Sequence, residues 1–272
     1  MGLAYNQNFG ALTNTSYTIP RSYKTFQYLW LRKRWKKVSA SFLFLSNGMQ
    51  YIDTADATRN ETRFSFTAGT HLKYKVGQFS MTGNAYYQFG RDVANNNLNA
   101  YLFGLEFSYK LPKIVTLGLG AEIQRGNDKA VVNGNRNNAF SPLYGTNHKF
   151  NGLMDYFYVG NHTNSVGLLD INATFGYQKN KFSATLVPHL FSSAATVIDN
   201  TNNEMSNELG TELDLILGYK WTKDINFNAG YSQMFATETM EVLKAGNKDN
   251  TNNWAWVMIT IKPSLFTTTF DD

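Results

Sequence analysis

Hydrophobic and polar residues alternate with a period of two along most of the chain. Between Glu61 and Tyr74, one parity holds Glu61, Arg63, Ser65, Thr67, Gly69, His71 and Lys73, and the other holds Thr62, Phe64, Phe66, Ala68, Thr70, Leu72 and Tyr74. The split recurs in Phe79–Phe89, Tyr101–Tyr109 and Val115–Ile123. Later segments beginning at Leu169, Phe182, Leu209 and Ile225 repeat it, and a last one carries Ala255, Val257, Ile259 and Ile261. Near the start, 25–35 and 38–47 read as a hairpin preceded by a short strand over about 2–8. Alternation this strict predicts half-apolar strands and excludes helices over these stretches. Twelve strands are expected.

The connections separate the possible all-β architectures. Short turns at Lys36-Lys37, 75–78, 110–113, 178–181 and 222–224 alternate with long, Asn-rich loops at about 9–24, 47–60, 90–98, 125–165, 193–207 and 236–252. Every long loop then leaves the same end of the sheet. This is the layout of an antiparallel transmembrane β-barrel with short periplasmic turns and long extracellular loops. Ten residues at ~3.3 Å rise and about 45° tilt cover roughly 23 Å, close to the ~25 Å apolar band of an outer membrane. Tyr74, Phe79, Tyr109, Tyr177, Phe182, Tyr219 and Trp221 flank the short turns on the apolar parity, where an interfacial girdle would sit. The other parity carries Gly, Ser, Thr, Asn and scattered charge, which suits a wet lumen. The expectation is one barrel domain over 1–272, in the bacterial outer membrane, with its tail at 264–272.

Composition narrows the alternatives. Charged residues make up 17%, aromatics 15%, and mean hydropathy is −0.36. The aromatics argue against disorder. No apolar run approaches the ~18 residues that a spanning helix requires. With no cysteine, neither a disulfide framework nor a thiolate metal site is expected. The net charge of +5 is scattered, and its one dense run, Arg32-Lys33-Arg34 with Lys36-Lys37, reads as a strand end meeting water or headgroups; nucleic acid is not an expected partner. Met1 to Tyr5 lacks the basic and apolar regions of a signal peptide, which predicts either a removed signal or an incomplete chain.

The segments Phe140-Ser141-Pro142-Leu143-Tyr144-Gly145-Thr146-Asn147-His148-Lys149-Phe150-Asn151-Gly152 and Met154 to His162 resemble the alginate-export-type outer-membrane barrels of Gram-negative bacteria. Gly230 to Phe235 and Asn253 to Met258 resemble the same group. The resemblance implies a porin-like channel for an acidic polysaccharide. It also implies a larger barrel of roughly eighteen strands, of which this chain would be an N-terminally truncated member. The Asp271-Asp272 ending departs from the terminal aromatic expected of such barrels.

If the polar faces line a pore, their charges set its selectivity. In the hairpin from Thr25, placing Leu29 and Leu31 toward lipid turns Tyr28, Trp30, Arg32 and Arg34 inward with Phe26. Arg grips carboxylates bidentately and aromatic rings stack on sugar faces, so this group suits a sugar acid, and Arg63, His71 and Lys73 extend it. Snorkelling toward headgroups is the alternative for the Arg and Lys residues. Glu106, Glu122, Asp170, Glu208, Glu212 and Asp214 share the inward parity and oppose an anion pathway, unless they pair with Arg63, Lys73 and Lys220 across strands. The 125–165 loop is long enough to enter the pore as a constriction, with Tyr144, His148, Lys149, Asp155 and Tyr156 as candidates, or to be an ordered surface loop. His148, Asp155 and His162 match no metal-ligand spacing, no catalytic signature is present, and no cofactor is expected. The expected partners are outer-membrane lipids, lipopolysaccharide and a hydrophilic solute. Three readings remain open: a passive channel, a loop-plugged barrel serving adhesion or assembly of a surface complex, or a soluble lectin-like β protein with its aromatic face buried.

Overall fold

The computed structural model describes residues 1–6, 23–52, 60–112, 114–146, 149–162, 165–264 and 266. Its strands are β1 (Gly2–Tyr5), β2 (Thr25–Arg34), β3 (Val38–Ile52), β4 (Asn60–Val76), β5 (Phe79–Arg91), β6 (Asn97–Lys110), β7 (Val115–Gln124), β8 (Arg136–Asn137), β9 (Leu168–Lys179), β10 (Phe182–Ser192), β11 (Glu208–Lys220), β12 (Ile225–Ala236) and β13 (Asn252–Ile261), with one helix, α1 (Glu238–Lys244). Twelve of them form one antiparallel sheet in chain order, β1 to β7 and then β9 to β13. The expected strand set and all-β class are therefore present. The sheet is open: among the described residues β1 and β13 do not pair with each other.

Four features depart from the sequence reading. The two-residue β8 lies parallel to β6 and off the main path. Strands β3 and β4 run to Ile52 and from Asn60, so much of the expected 47–60 loop is ladder, and the β5–β6 connection shrinks to 92–96. Helix α1 occupies part of the expected 236–252 loop, capped by Thr237, whose side chain accepts from the Met240 N–H. The fourth is a bulge where β11 begins: Phe191 pairs with Gly210 but Ser192 pairs with Glu208, leaving Leu209 as the extra residue. Leu209 is therefore fully buried among Phe157, Leu168, Phe191, Met234 and Met240, and Glu208 leaves the inward parity for an exposed position. Gly210, at φ 138°, makes the kink.

The turns follow from local chemistry. Gly77 and Asn180 adopt positive φ (55° and 52°) in the tight connections between β4 and β5 and between β9 and β10. Both are residues that accept this conformation at low cost.

The sheet's two faces are inverted relative to a water-soluble fold. Leu119 is 66% exposed, Phe103 53% and Phe175 51%, while on the opposite face Gln88, Asp170, Glu212, Asp214 and Ser232 are at most 2% exposed. Aromatics collect at both ends of the apolar face. Tyr74–Phe79, Phe79–Phe107, Tyr177–Phe182 and Trp221–Phe227 lie at the short-turn end. Phe44–Phe66, Phe66–Phe89, Tyr87–Phe89 and Tyr101–Phe103 form a second rim toward the long loops. Two aromatic rims bounding an exposed aliphatic band match the lipid-facing surface of a spanning barrel. No helix among the described residues is long and apolar enough to cross a membrane.

Replacing Leu119 with Arg, in the middle of this band, is expected to cost ~2–4 kcal/mol in urea unfolding from phospholipid vesicles. Thr82→Arg, between Lys73 and Glu106 on the polar face, should cost less than about 1 kcal/mol. Equal costs would contradict the assignment of faces.

Candidate functional site

The polar face carries its charges in two groups. One row of paired residues runs Arg32–Ser41–His71–Asn84–Gly104–Glu122–Asp170 across β2 to β9. The next begins Arg34–Ser39–Lys73–Thr82–Glu106 and reaches His189 and Glu212 through Gly120 and Asn172. In these two rows, cationic side chains occupy β2 to β4 and carboxylates occupy β6 to β11; outside them, Glu61 lies on β4 and Lys220 on β11. Hydrogen-bonded pairs fill the space between the two groups: His71 Nδ1 to Asn84 Oδ1 at 2.6 Å, Ser80 Oγ to Ser108 Oγ at 2.6 Å, and Gln88 Nε2 to Thr67 Oγ1 at 3.2 Å.

On the cationic side, Tyr28, Trp30, Arg32 and Arg34 are exposed on β2. Arg32 Nε donates to Ser39 Oγ at 3.3 Å. Arg63 pairs with its own strand neighbour Glu61 at 2.6 Å and lies over the Tyr51 ring at 5.1 Å. Lys73, Glu106 and Lys220 are exposed, Lys220 at the short-turn end.

The acidic group centres on His189 instead of on Arg63, Lys73 or Lys220. Its Nδ1–H donates to Asp170 at 2.9 Å, and Nε2 lies 3.7 Å from Asp214. Asp214 also accepts from Ser232 Oγ at 2.5 Å. Stacking on Phe191 fixes the imidazole ring, at 5.3 Å between centroids.

The 125–165 segment folds onto this face. Gln88 holds Ser141 through both backbone groups (2.7 and 2.9 Å), and the Tyr144 hydroxyl donates to Asn47 Oδ1 at 2.8 Å. Tyr144 packs edge-on against Phe26 at 5.0 Å and Tyr23 at 6.2 Å, and burial followed by the Tyr23 phenol raises its pKa far above 10.0, so it stays a donor. Further along, Asn151 Nδ2 donates to Glu122 and Asp170, both at 3.2 Å. The backbone N–H groups of Leu153 and Met154 both donate to Glu212 Oε1, at 2.7 and 2.9 Å, and Leu153 N–H also donates to Asp214 at 3.1 Å. Only glycine fits beside them: Gly152 has φ 85°, and a Cβ there would sit 2.5–2.8 Å from the Glu212 carboxyl. The anchors thus run from β3 to β11. Tyr144 and Asn151 sit at positive φ in bends along the segment.

The same segment is clamped from the side. Lys244 of α1 donates to the Tyr156 carbonyl at 2.5 Å and lies over Phe157 at 5.0 Å. Buried His162 donates from Nε2 to the Phe157 carbonyl at 2.8 Å. Of the expected constriction residues, Tyr144 and Tyr156 are in this inward path; Lys149 is exposed over Phe150, Asp155 sits at positive φ beside them, and His148 lies outside the described residues. Gln88, Asn47, Asn151, His189 and Lys244 are anchors absent from the sequence-based set. Alternation places the first two and His189 inward, but nothing in it marks them as partners of a loop.

No protein-family model and no curated protein matches the chain. Solved structures do match it. A NanC porin is 12% identical over 88% of this chain and 93% of its own, at a TM-score of 0.40. OccAB4 of Acinetobacter baumannii is 13% identical over 87% of this chain and 54% of its own, at 0.49. The FrpB iron transporter of Neisseria meningitidis is 12% identical over 86% and 40%, at 0.44. These values are too low to bear on what this chain does, and the resemblance to alginate-export barrels rests on its sequence segments alone.

Removing the Glu212 carboxyl by Glu212→Ala deletes two hydrogen bonds and is expected to weaken loop anchoring by about 1.5–3 kcal/mol. Hydrogen exchange at the Leu153 and Met154 amides should accelerate more than tenfold, with the strand ladders unchanged. A second outcome concerns pH. Burial, outweighing the Phe157 bond, holds the His162 pKa below 6.5, and nearby Lys244 adds to the lowering. The released loop then takes up the proton before the docked one does, so docking is complete above pH ~6.5 and weakens as pH falls toward the lowered value. Protection factors over 153–162 should show that loss, and His162→Asn should flatten it.

Proposed function

We propose that this chain is a bacterial outer-membrane channel through which a hydrophilic solute passes passively, with the 125–165 segment as its constriction. The carrying observation is the inverted sheet: an aliphatic band bounded by two aromatic rims on one face, and a polar face to which the 125–165 loop is anchored on the other. The outward face meets outer-membrane lipid and lipopolysaccharide; the inward face meets water and solute. Separating cations on β2 to β4 from carboxylates on β6 to β11 sets a transverse field that favours strongly polar solutes over apolar ones.

An acidic polysaccharide of the alginate type fits only one side of this lumen. There Arg32 and Arg34 can grip carboxylates while Tyr28 and Trp30 stack on sugar faces. Glu106, Glu122, Asp170, Glu212 and Asp214 repel it from the other side. The second reading, a non-conducting barrel serving adhesion or assembly, is favoured by the number of strands that the loop ties together, from Asn47 on β3 to Glu212 on β11.

Planar-bilayer recording separates these readings, with oligoalginate and a neutral oligosaccharide of equal length added in turn. The channel reading expects steady conductance, with block by oligoalginate made roughly tenfold weaker by Arg32→Ala with Arg34→Ala. A folded, inserted chain that never conducts would overturn it in favour of the plugged barrel. Block by the neutral sugar alone would remove the polyuronate.

A further inference from the structure

A second site lies at the long-loop end of the sheet. The stretch following β7 and the 193–207 connection between β10 and β11 enclose a cleft of about 620 Å³. This is within the roughly 300–1,000 Å³ range of small-molecule sites. Its walls are fixed by backbone bonds: Lys129 N–H to the Thr196 carbonyl (3.1 Å), Met205 N–H to the Val197 carbonyl (2.9 Å) and Ser193 N–H to the Asn207 carbonyl (2.8 Å). Thr196 Oγ1 donates to Asp128 at 3.1 Å across the two loops, and Ile198 bridges Glu204 to make one wall a small hairpin.

The polar groups lining this cleft are not used up by the protein. Ser193 is 6% exposed, lines the cleft, and its Oγ has no hydrogen-bond partner. A buried hydroxyl left in that state costs ~1–3 kcal/mol unless something binds it. Arg125 lies over the Tyr101 ring at 5.8 Å and spends one N–H on the Asn99 carbonyl at 3.0 Å, so the rest of its fork is available. Asp128, Asn138, Glu204 and Asn207 also line the cleft. Met205 supplies apolar surface beside them.

We propose that this cleft binds a neutral oligosaccharide of two or three sugar units. Hydroxyls both donate and accept, so they can use the guanidinium, amide, carboxylate and serine together, while sugar C–H faces pack on the apolar surface. Anionic ligands are disfavoured because Asp128 and Glu204 outnumber Arg125. The cleft thus selects against the acidic sugar that the cationic side of the lumen would accept.

The test uses the full chain refolded in detergent micelles, titrated with maltotriose, triacetylchitotriose and trigalacturonate by calorimetry and saturation-transfer NMR. At least one neutral probe is expected to bind saturably and trigalacturonate not to bind. Ser193→Val and, as an exposed substitution that spares the fold, Asn207→Ala should each weaken binding about tenfold. Lys37→Ala, in a turn at the opposite end, should leave it unchanged. Failure of both neutral probes to saturate, equal binding of trigalacturonate, or binding indifferent to both cleft variants would overturn the proposal. None of these outcomes depends on whether the chain conducts.

Discussion

The two-residue period of an extended strand is the constraint from which the rest of this structure follows. Each strand presents every second side chain to one face, so a sequence that alternates Leu117, Leu119 and Ala121 with Gly118, Gly120 and Glu122 must separate oil from water across a single backbone layer. Lipid cannot hydrogen-bond the backbone, so the ladders must satisfy it within the sheet. Registers from β2 to β7 and β9 to β13 do this in chain order, with tight turns at one end. The aromatic rims then mark where the apolar band meets water.

Polar residues on the inner face create the opposite problem, because a carboxylate deprived of water needs partners. The 125–165 segment supplies them, with backbone N–H groups and amides reaching Glu122, Asp170, Glu212 and Asp214. His189 holds Asp170 and faces Asp214. The acids that oppose an anion pathway on charge alone are thus also the anchors that draw the loop into the lumen. In the channel we propose, one set of residues determines both the constriction's shape and its field.

Much of this was legible in the sequence, for a physical reason. Period-two alternation is a local property, and twelve segments carrying it gave the strand order, the two faces and the end that bears the long loops. Non-local features were hidden. The bulge at Leu209 shifts Glu208 off the inward parity, and only Gly210 hints at it. The loop's path depends on the backbone N–H groups of Leu153 and Met154, which carry no residue identity. Its aromatics suggested inward packing, and Tyr144 does pack on Phe26. Thr237, with acidic Glu238 and Glu241 early and Lys244 late, is a helix signature short enough to be lost inside an Asn-rich connection.

The central claim is that one parity of each strand faces lipid and the other faces water. Because the chain has no cysteine, single Cys substitutions can be placed at successive positions 117–121 of β7, labelled with an environment-sensitive fluorophore, and read in vesicles of brominated lipid. The account predicts strong bromine quenching at 117, 119 and 121 and weak quenching at 118 and 120. Uniform quenching, or quenching of the opposite parity, would contradict it.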